Sequence, residues 1–199
     1  MTAIDVKETM ATEAVVRRFD ASIDTTTRFF GTNVDAISQT CRQMALRFER
    51  GGRLIVFGTG AASTDAQHVS VEFIHPVIVG KRALPAISLT GGFASMIGVL
   101  ARGDDIALAL YGDANSAELS EAVAAAEGKG LLTIAVGSSA VDNPAAHSYR
   151  VLTDDPLVAQ EVSETFYHVL WELVHLFIDH LAASAEPEAM ANAGDVLRV

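Results

Sequence analysis

Two pairs of side chains in this sequence are of a type and spacing that can do chemistry: His68 with Glu72, and Gln160 with His168. His68 and Glu72 are four residues apart, which stacks them on one face of a helix. Gln160 and His168 are eight apart, about 80° of rotation at 3.6 residues per turn, an offset that a long Gln side chain spans. Imidazole and carboxylate are zinc ligands, and the same groups serve as general acid and base. A Gln carbonyl is a rarer ligand. Closed around one point, the four would form a metal or acid/base site. Taken alone, a His-x-x-x-Glu on an amphipathic helix is more often a surface or capping pair.

Such side chains need rigid elements to aim them. From Asp5 to about Arg50 apolar residues recur at helical spacing and predict two helices, broken near Gly31-Thr32-Asn33. Gly51-Gly52 ends the second and releases the chain into an apolar run at 53–57 that reads as a strand. Residues 86–89, 106–110 and 131–136 are further buried-strand candidates, and 148–152 is a weaker fifth. Helical patterns lie between them at 63–75, 92–101 and 116–129, and a long one runs from 157 to about 183. Strands alternating with helices predict an α/β, three-layer sandwich with a five-stranded parallel sheet covered on both faces. Residues 1–50 form its N-terminal helical arm, 51–183 the sandwich domain, and 184–199 a flexible tail. On the long helix Val162, Phe166, Val169, Leu170, Leu173, Val174 and Phe177 make an apolar surface wider than one packing stripe needs. That suits either a subunit interface or a central core helix.

Two strand-to-helix turns are candidate ligand loops, because ligands of open α/β sheets collect beyond the carboxyl ends of the strands. The first, 58–65, carries Gly58, Thr59, Gly60, Ser63, Thr64 and Asp65. Its glycines permit close backbone approach and its helix start offers N–H groups to anions, although Asp65 or Ser63 can equally cap the helix. In the second, 111–116, Ser116 suits a cap, and Asp113 would repel a phosphate in a poorly solvated pocket. That turn therefore suits a neutral, cationic or metal-bound ligand. Thr59, Ser63, Thr64, Ser88, Thr90 and Ser116, with Asp113 and Asn115, are the polar groups expected around a ligand. His75 precedes Pro76 and reads as helix-terminal, His147 lies in a loop without an evident partner, His175 supports the site or packs, and His180 is exposed.

The chain has 199 residues, half of them hydrophobic, with 25 acids against 14 bases and a net charge of -11. That balance disfavours a broad nucleic-acid or anionic-membrane surface, which needs clustered Lys and Arg. A single cysteine, Cys41, excludes an internal disulfide framework and a cysteine-based zinc site. It reads as a small buried hydrophobe in a cytoplasmic protein. The first twenty residues lack the apolar core of an export signal, and no run approaches the roughly 18 apolar residues of a membrane span.

The order of motifs resembles the sugar isomerase (SIS) domain family, whose fold is flavodoxin-like. The resemblance rests on Gly-Gly-Arg-Leu-Ile-Val-Phe-Gly-Thr-Gly at 51–60, Asp65-Ala66-Gln67-His68, Leu84-Pro85-Ala86-Ile87, and Gln160-Glu161-Val162 before a long apolar helix. It covers roughly residues 33–182 and lies nearest the sedoheptulose 7-phosphate (phosphoheptose) isomerase branch and the DiaA-like adaptors. It implies that Glu72 and His168 are the acid/base pair of an aldose-ketose isomerase. It also implies that His68, Glu72, Gln160 and His168 hold zinc, and that the protein assembles as a homotetramer. DiaA-like adaptors lack the Glu and the second His, so their presence here points away from a purely scaffolding role.

Part of the pattern departs from that family. Its phosphate-gripping loop Ser-Thr-Ser-Gly-Asn-Ser is Tyr111-Gly112-Asp113-Ala114-Asn115-Ser116 here, and the serine of its first turn is Ala62. The stretch from Gly91 to Asp105 is shorter than its isomerase counterpart. An isomerase of a sugar or small hydroxy-carbonyl compound with a degenerate phosphate loop is one reading. A non-catalytic, ligand-sensing or adaptor oligomer is the alternative, and another metal-assisted reaction on a phosphate-free substrate is a third.

Overall fold

The computed structural model describes residues 3–112, 116–138 and 145–196. Five strands, β1 (Leu54–Gly58), β2 (Ala86–Leu89), β3 (Ile106–Leu110), β4 (Leu132–Ser138) and β5 (His147–Val151), form one sheet in the order β2-β1-β3-β4-β5. All four pairings are parallel, with Leu54 opposite Ala86 on one side and Ile106 on the other. Strands β1, β3 and β4 are buried along their whole length, as continuous apolar runs require when helices cover both faces. The expected α/β three-layer architecture is the observed one.

The helices are α1 (Ala3–Glu49), α2 (Ala62–Ile74), α3 (Phe93–Leu100), α4 (Ala117–Gly128) and α5 (Pro156–Val196). Alternate strand residues feed two cores. Val56, Leu108 and Ile134 pack with α1, α2 and α5, whereas Phe57, Ala109 and Ala135 pack with α3 and α4. Only the eight-residue α3 lies between β2 and β3, in keeping with the short Gly91–Asp105 stretch.

One expectation is overturned: the arm is a single helix, without a break at Gly31-Thr32-Asn33. Buried Thr25, Phe29, Ile37, Cys41, Met44 and Phe48 keep one phase across Gly31, and this stripe lies along α5 and β5. Tertiary packing therefore outweighs the roughly 1 kcal/mol that a helical glycine costs. Asn33 adds a bond from its side-chain amide to the Phe29 carbonyl, 2.8 Å away. Helix α5 is covered by α1 and the sheet along Val162, Phe166, Leu170 and Val174, so that part of its broad apolar surface is core. It continues past residue 183 to Val196. Among the described residues no helix is long and apolar enough to cross a membrane.

Candidate functional site

Helices α2 and α5 cross beside the sheet, and each is rotated by what it buries. Ala66, Val69 and Phe73 turn one face of α2 inward, which brings His68 and Glu72 round toward α5. On α5 the buried row Val162, Phe166, Leu170 and Val174 leaves His168 facing back. The result is a three-residue cluster. Glu72 Oε1 lies 3.2 Å from His68 Nε2 and 3.1 Å from His168 Nε2, with the carboxylate mostly buried and both imidazoles about half exposed. Ligand atoms of all three lie within 4.8 Å of one another.

The donor set fits a zinc-type ion. Tetrahedral zinc with bonds of about 2.0–2.1 Å holds its ligands roughly 3.3 Å apart, close to the separations seen around Glu72. Such an ion would act as a Lewis acid on a substrate oxygen.

The fourth expected ligand is engaged elsewhere. Gln160 donates its side-chain amide to Asp65, with its nitrogen 3.2 Å from Oδ1 and 3.3 Å from Oδ2. Its carbonyl oxygen, the atom that would ligate a metal, is on the other arm of the amide. Burial pushes the Asp65 carboxyl above its usual range, partly offset by the Gln160 hydrogen bond and by His68.

Asp65 and Gln160 line a cavity of about 360 Å³ with Thr59, Ala62, Tyr111 and Ser163. It sits beyond the carboxyl ends of β1 and β3, where the chain first runs outward to β2 and then crosses back, the usual ligand crevice of such sheets. No Lys or Arg is among its described lining residues. A second cavity, of about 300 Å³, opens on the cluster between Glu72, His168, Trp171, Val77, Ile78 and Glu172, again without a cation.

The turn entering α2 depends on its glycines. Gly60 adopts φ +61°, and a Cβ on Gly58 would stand 2.6 Å from the Ala62 carbonyl oxygen. No side chain caps α2; neither Asp65 nor Ser63 does so. Instead the Ser63 and Thr64 hydroxyls donate back to the carbonyls of Gly60 and Ala61, and their backbone N–H groups do the same.

Of the expected ligand-contacting hydroxyls, Thr59 lines the 360 Å³ cavity, while Ser63 and Thr64 do not. Thr90 is exposed beyond β2, and Ser88 is half-buried within it. Ser116 caps α4 by accepting from the Leu119 N–H at 3.3 Å. Asp113 and Asn115 lie outside the described residues.

Two supporting residues escape a reading of the sequence. The Tyr167 hydroxyl lies 3.1 Å from His68 Nδ1, and Trp171 Nε1 donates to the Glu72 carbonyl at 3.1 Å, tying α5 to α2. Burial first, then Glu164, Asp65 and Glu72, holds the Tyr167 phenol well above its usual range. The signal for both was present: residues 160, 167, 168 and 171 share one side of a helix. His175 is buried, with Nδ1 2.8 Å from the Trp171 carbonyl and Nε2 3.0 Å from that of Arg82, so it packs and tethers. His147 has a partner after all, Thr40 at 3.0 Å, and burial lowers its pKa. Cys41 is fully buried and its thiol is pushed up to about 12 by burial, which makes it inert.

No family model matches the chain. It is 25% identical over 191 residues to a phosphoheptose isomerase of Thermodesulfovibrio yellowstonii, covering 86% of this chain and 95% of that protein. With a phosphoheptose isomerase of a Roseiflexus species it shares 28% identity over 190 residues, covering 82% and 92%. The structure of a phosphoheptose isomerase from Francisella tularensis superposes with a TM-score of 0.71 at 24% identity, over 88% of this chain and 100% of that one. Sequence and fold point the same way: the chain has the fold of the Francisella protein and is similar over most of its length to proteins named phosphoheptose isomerase.

Proposed function

We propose that the protein is a metal-dependent aldose-ketose isomerase acting on a sugar or small hydroxy-carbonyl compound. The observation that carries this reading is the convergence of His68, Glu72 and His168 from two helices onto one point. Similarity to proteins named phosphoheptose isomerase supports the reaction class. Glu72 takes the proton from the carbon next to the carbonyl, and His168 moves a proton to or from oxygen. Zinc is the metal this donor set suits, with the Gln160 carbonyl as a fourth ligand after rotation of its amide.

The substrate end seated in the 360 Å³ cavity is uncharged. Its described lining holds one carboxylate, Asp65, and no Lys, Arg or His, and two N–H groups at the start of α2 are already used by the turn. This supports a degenerate phosphate loop. A homotetramer accommodates the exposed Val15, Val16, Phe19 and Ile23 on α1, which nothing in the described chain covers.

Elemental analysis of untagged, chelator-free protein tests the metal, and turnover of the Glu72→Gln variant tests the base. We expect near-stoichiometric zinc that is lost in the His68→Ala, His168→Ala double variant. Turnover in Glu72→Gln should fall at least about a thousandfold while assembly stays intact. Wild-type protein unable to take up zinc would leave an acid/base pair or a ligand-sensing role. Undiminished turnover in Glu72→Gln would remove the catalytic assignment.

A further inference from the structure

Tyr167 is fully buried, yet its hydroxyl reaches the exposed cluster at His68 Nδ1, 3.1 Å away. Its ring stands edge-on to both imidazoles, 4.8 Å from His168 at 74° and 5.6 Å from His68 at 80°. One rigid side chain thus braces both histidines from the protein side, while Glu72 faces them from the other.

The position of protons follows from what each group can accept. An ionised carboxylate only accepts, and Glu72 Oε1 faces the Nε2 atoms of both histidines, so each Nε2 carries a proton in this arrangement. In the tautomer with its proton on Nε2, His68 presents a lone pair on Nδ1, to which the Tyr167 hydroxyl donates. Metal ligation through Nε2 demands the opposite tautomer, with the proton on Nδ1. The same hydroxyl can then accept. A carbonyl or carboxylate in place of Tyr167 would serve only the second tautomer, and a backbone N–H only the first; a hydroxyl serves both without moving the ring.

We propose that Tyr167 is a positioning residue that holds the His68 ring with Nε2 toward Glu72 and His168 in both tautomers. It touches no substrate and acts only through His68. Its consequence for metal affinity rests on the proposed metal site, whereas its hold on the ring does not.

Tyr167→Phe removes the hydroxyl and keeps the ring packing. Two measurements on full-length protein separate the two ideas. Nitrogen-15 spectra of metal-free, histidine-labelled protein near neutral pH should show one well-defined His68 signal in the wild type and, in Tyr167→Phe, a signal broadened or split as the ring turns away from Glu72. Competition with a chelator for zinc should show about tenfold to hundredfold weaker binding in Tyr167→Phe. Wild-type protein that binds no zinc, with the change in the His68 signal still present in the variant, would leave Tyr167 in its role and remove the metal reading. Identical His68 spectra in the two proteins would overturn the role of Tyr167, whatever the zinc affinity.

Discussion

The two ends of the sheet treat a carboxylate drawn away from water in opposite ways, Asp105 being buried and Asp65 half-buried. At the amino end Asp105 is almost fully buried and meets Arg53 through the backbone N–H at 2.8 Å and the guanidinium at 2.7 and 3.2 Å, with the Arg102 N–H at 2.9 Å. Burial alone would raise its pKa, but Arg53 and the two backbone donors hold it below the ordinary carboxylate range. At the carboxyl end Asp65 has only the neutral amide of Gln160 and the flank of His68, and burial wins. A charge left under-compensated at the mouth of a cavity is what a ligand site tolerates and a structural joint does not. No Lys or Arg stands in the described lining of the cavity, whereas the joint has its arginine.

The comparison can be broken most strongly at the joint. Asp105→Ala strands the Arg53 guanidinium and two backbone donors, and should lower unfolding free energy by about 3 kcal/mol, read from the urea midpoint. Because its folded pKa is depressed, Asp105 contributes stability that is present above about pH 3.9 and is lost as pH falls through the folded value. Wild-type stability should therefore drop steeply in acid, and the difference from Asp105→Asn should narrow there. A pH-independent difference would show that the charge is not what Arg53 holds.

At the opposite end the sign reverses. The raised Asp65 pKa means that the folded protein binds the proton better, so its ionisation costs stability as pH rises from the unfolded value through the folded one. Asp65→Asn keeps an acceptor for Gln160 and should raise the melting temperature by a few degrees at neutral pH, with the two proteins converging in acid. The same variant sharpens the reading of the cavity, since a ligand with an uncharged, hydroxyl-rich end should bind it more weakly. A melting temperature that falls at neutral pH would show that Asp65 is compensated after all.

The smallest effect belongs to Arg18 on α1. It bridges Asp155 at 2.7 Å and Glu161 at 2.5 Å on the exposed side of α5. Asp155 also caps that helix through the Leu157 and Val158 N–H groups, at 2.9 and 3.3 Å. Surface pairs contribute little, so Arg18→Met should lower the melting temperature by roughly 2 °C or less. A much larger fall would mean that α1 holds the cavity wall formed by Pro156, Leu157 and Gln160 in place.

A difference of the same kind runs along α2 itself. Its middle builds a cluster from side chains on two helices, and such a cluster needs only rotation and register. Its first turn would need free N–H groups or hydroxyls to grip an anion, yet the Ser63 and Thr64 hydroxyls and amides are turned onto carbonyls. Among the described residues, the helices bring the His/Glu cluster together, and no Lys or Arg lines the cavity at the first turn of α2.

By itself the sequence determined what is local. Continuous apolar runs specified β1, β3 and β4, because a doubly covered strand has no polar face to show. The spacing of His68 and Glu72 specified their shared helical face, because 3.6 residues per turn leaves no other outcome for residues four apart. Three-dimensional packing decided what depends on partners distant in the chain. The pairing of Asp65 with Gln160, of Tyr167 with His68, and of Asp105 with Arg53 joins residues 95, 99 and 52 positions apart. Periodicity carries no information about which faces meet. For the same reason α1 is one helix: its glycine invites a break, and only the apolar stripe laid against α5 and β5 offsets that local cost.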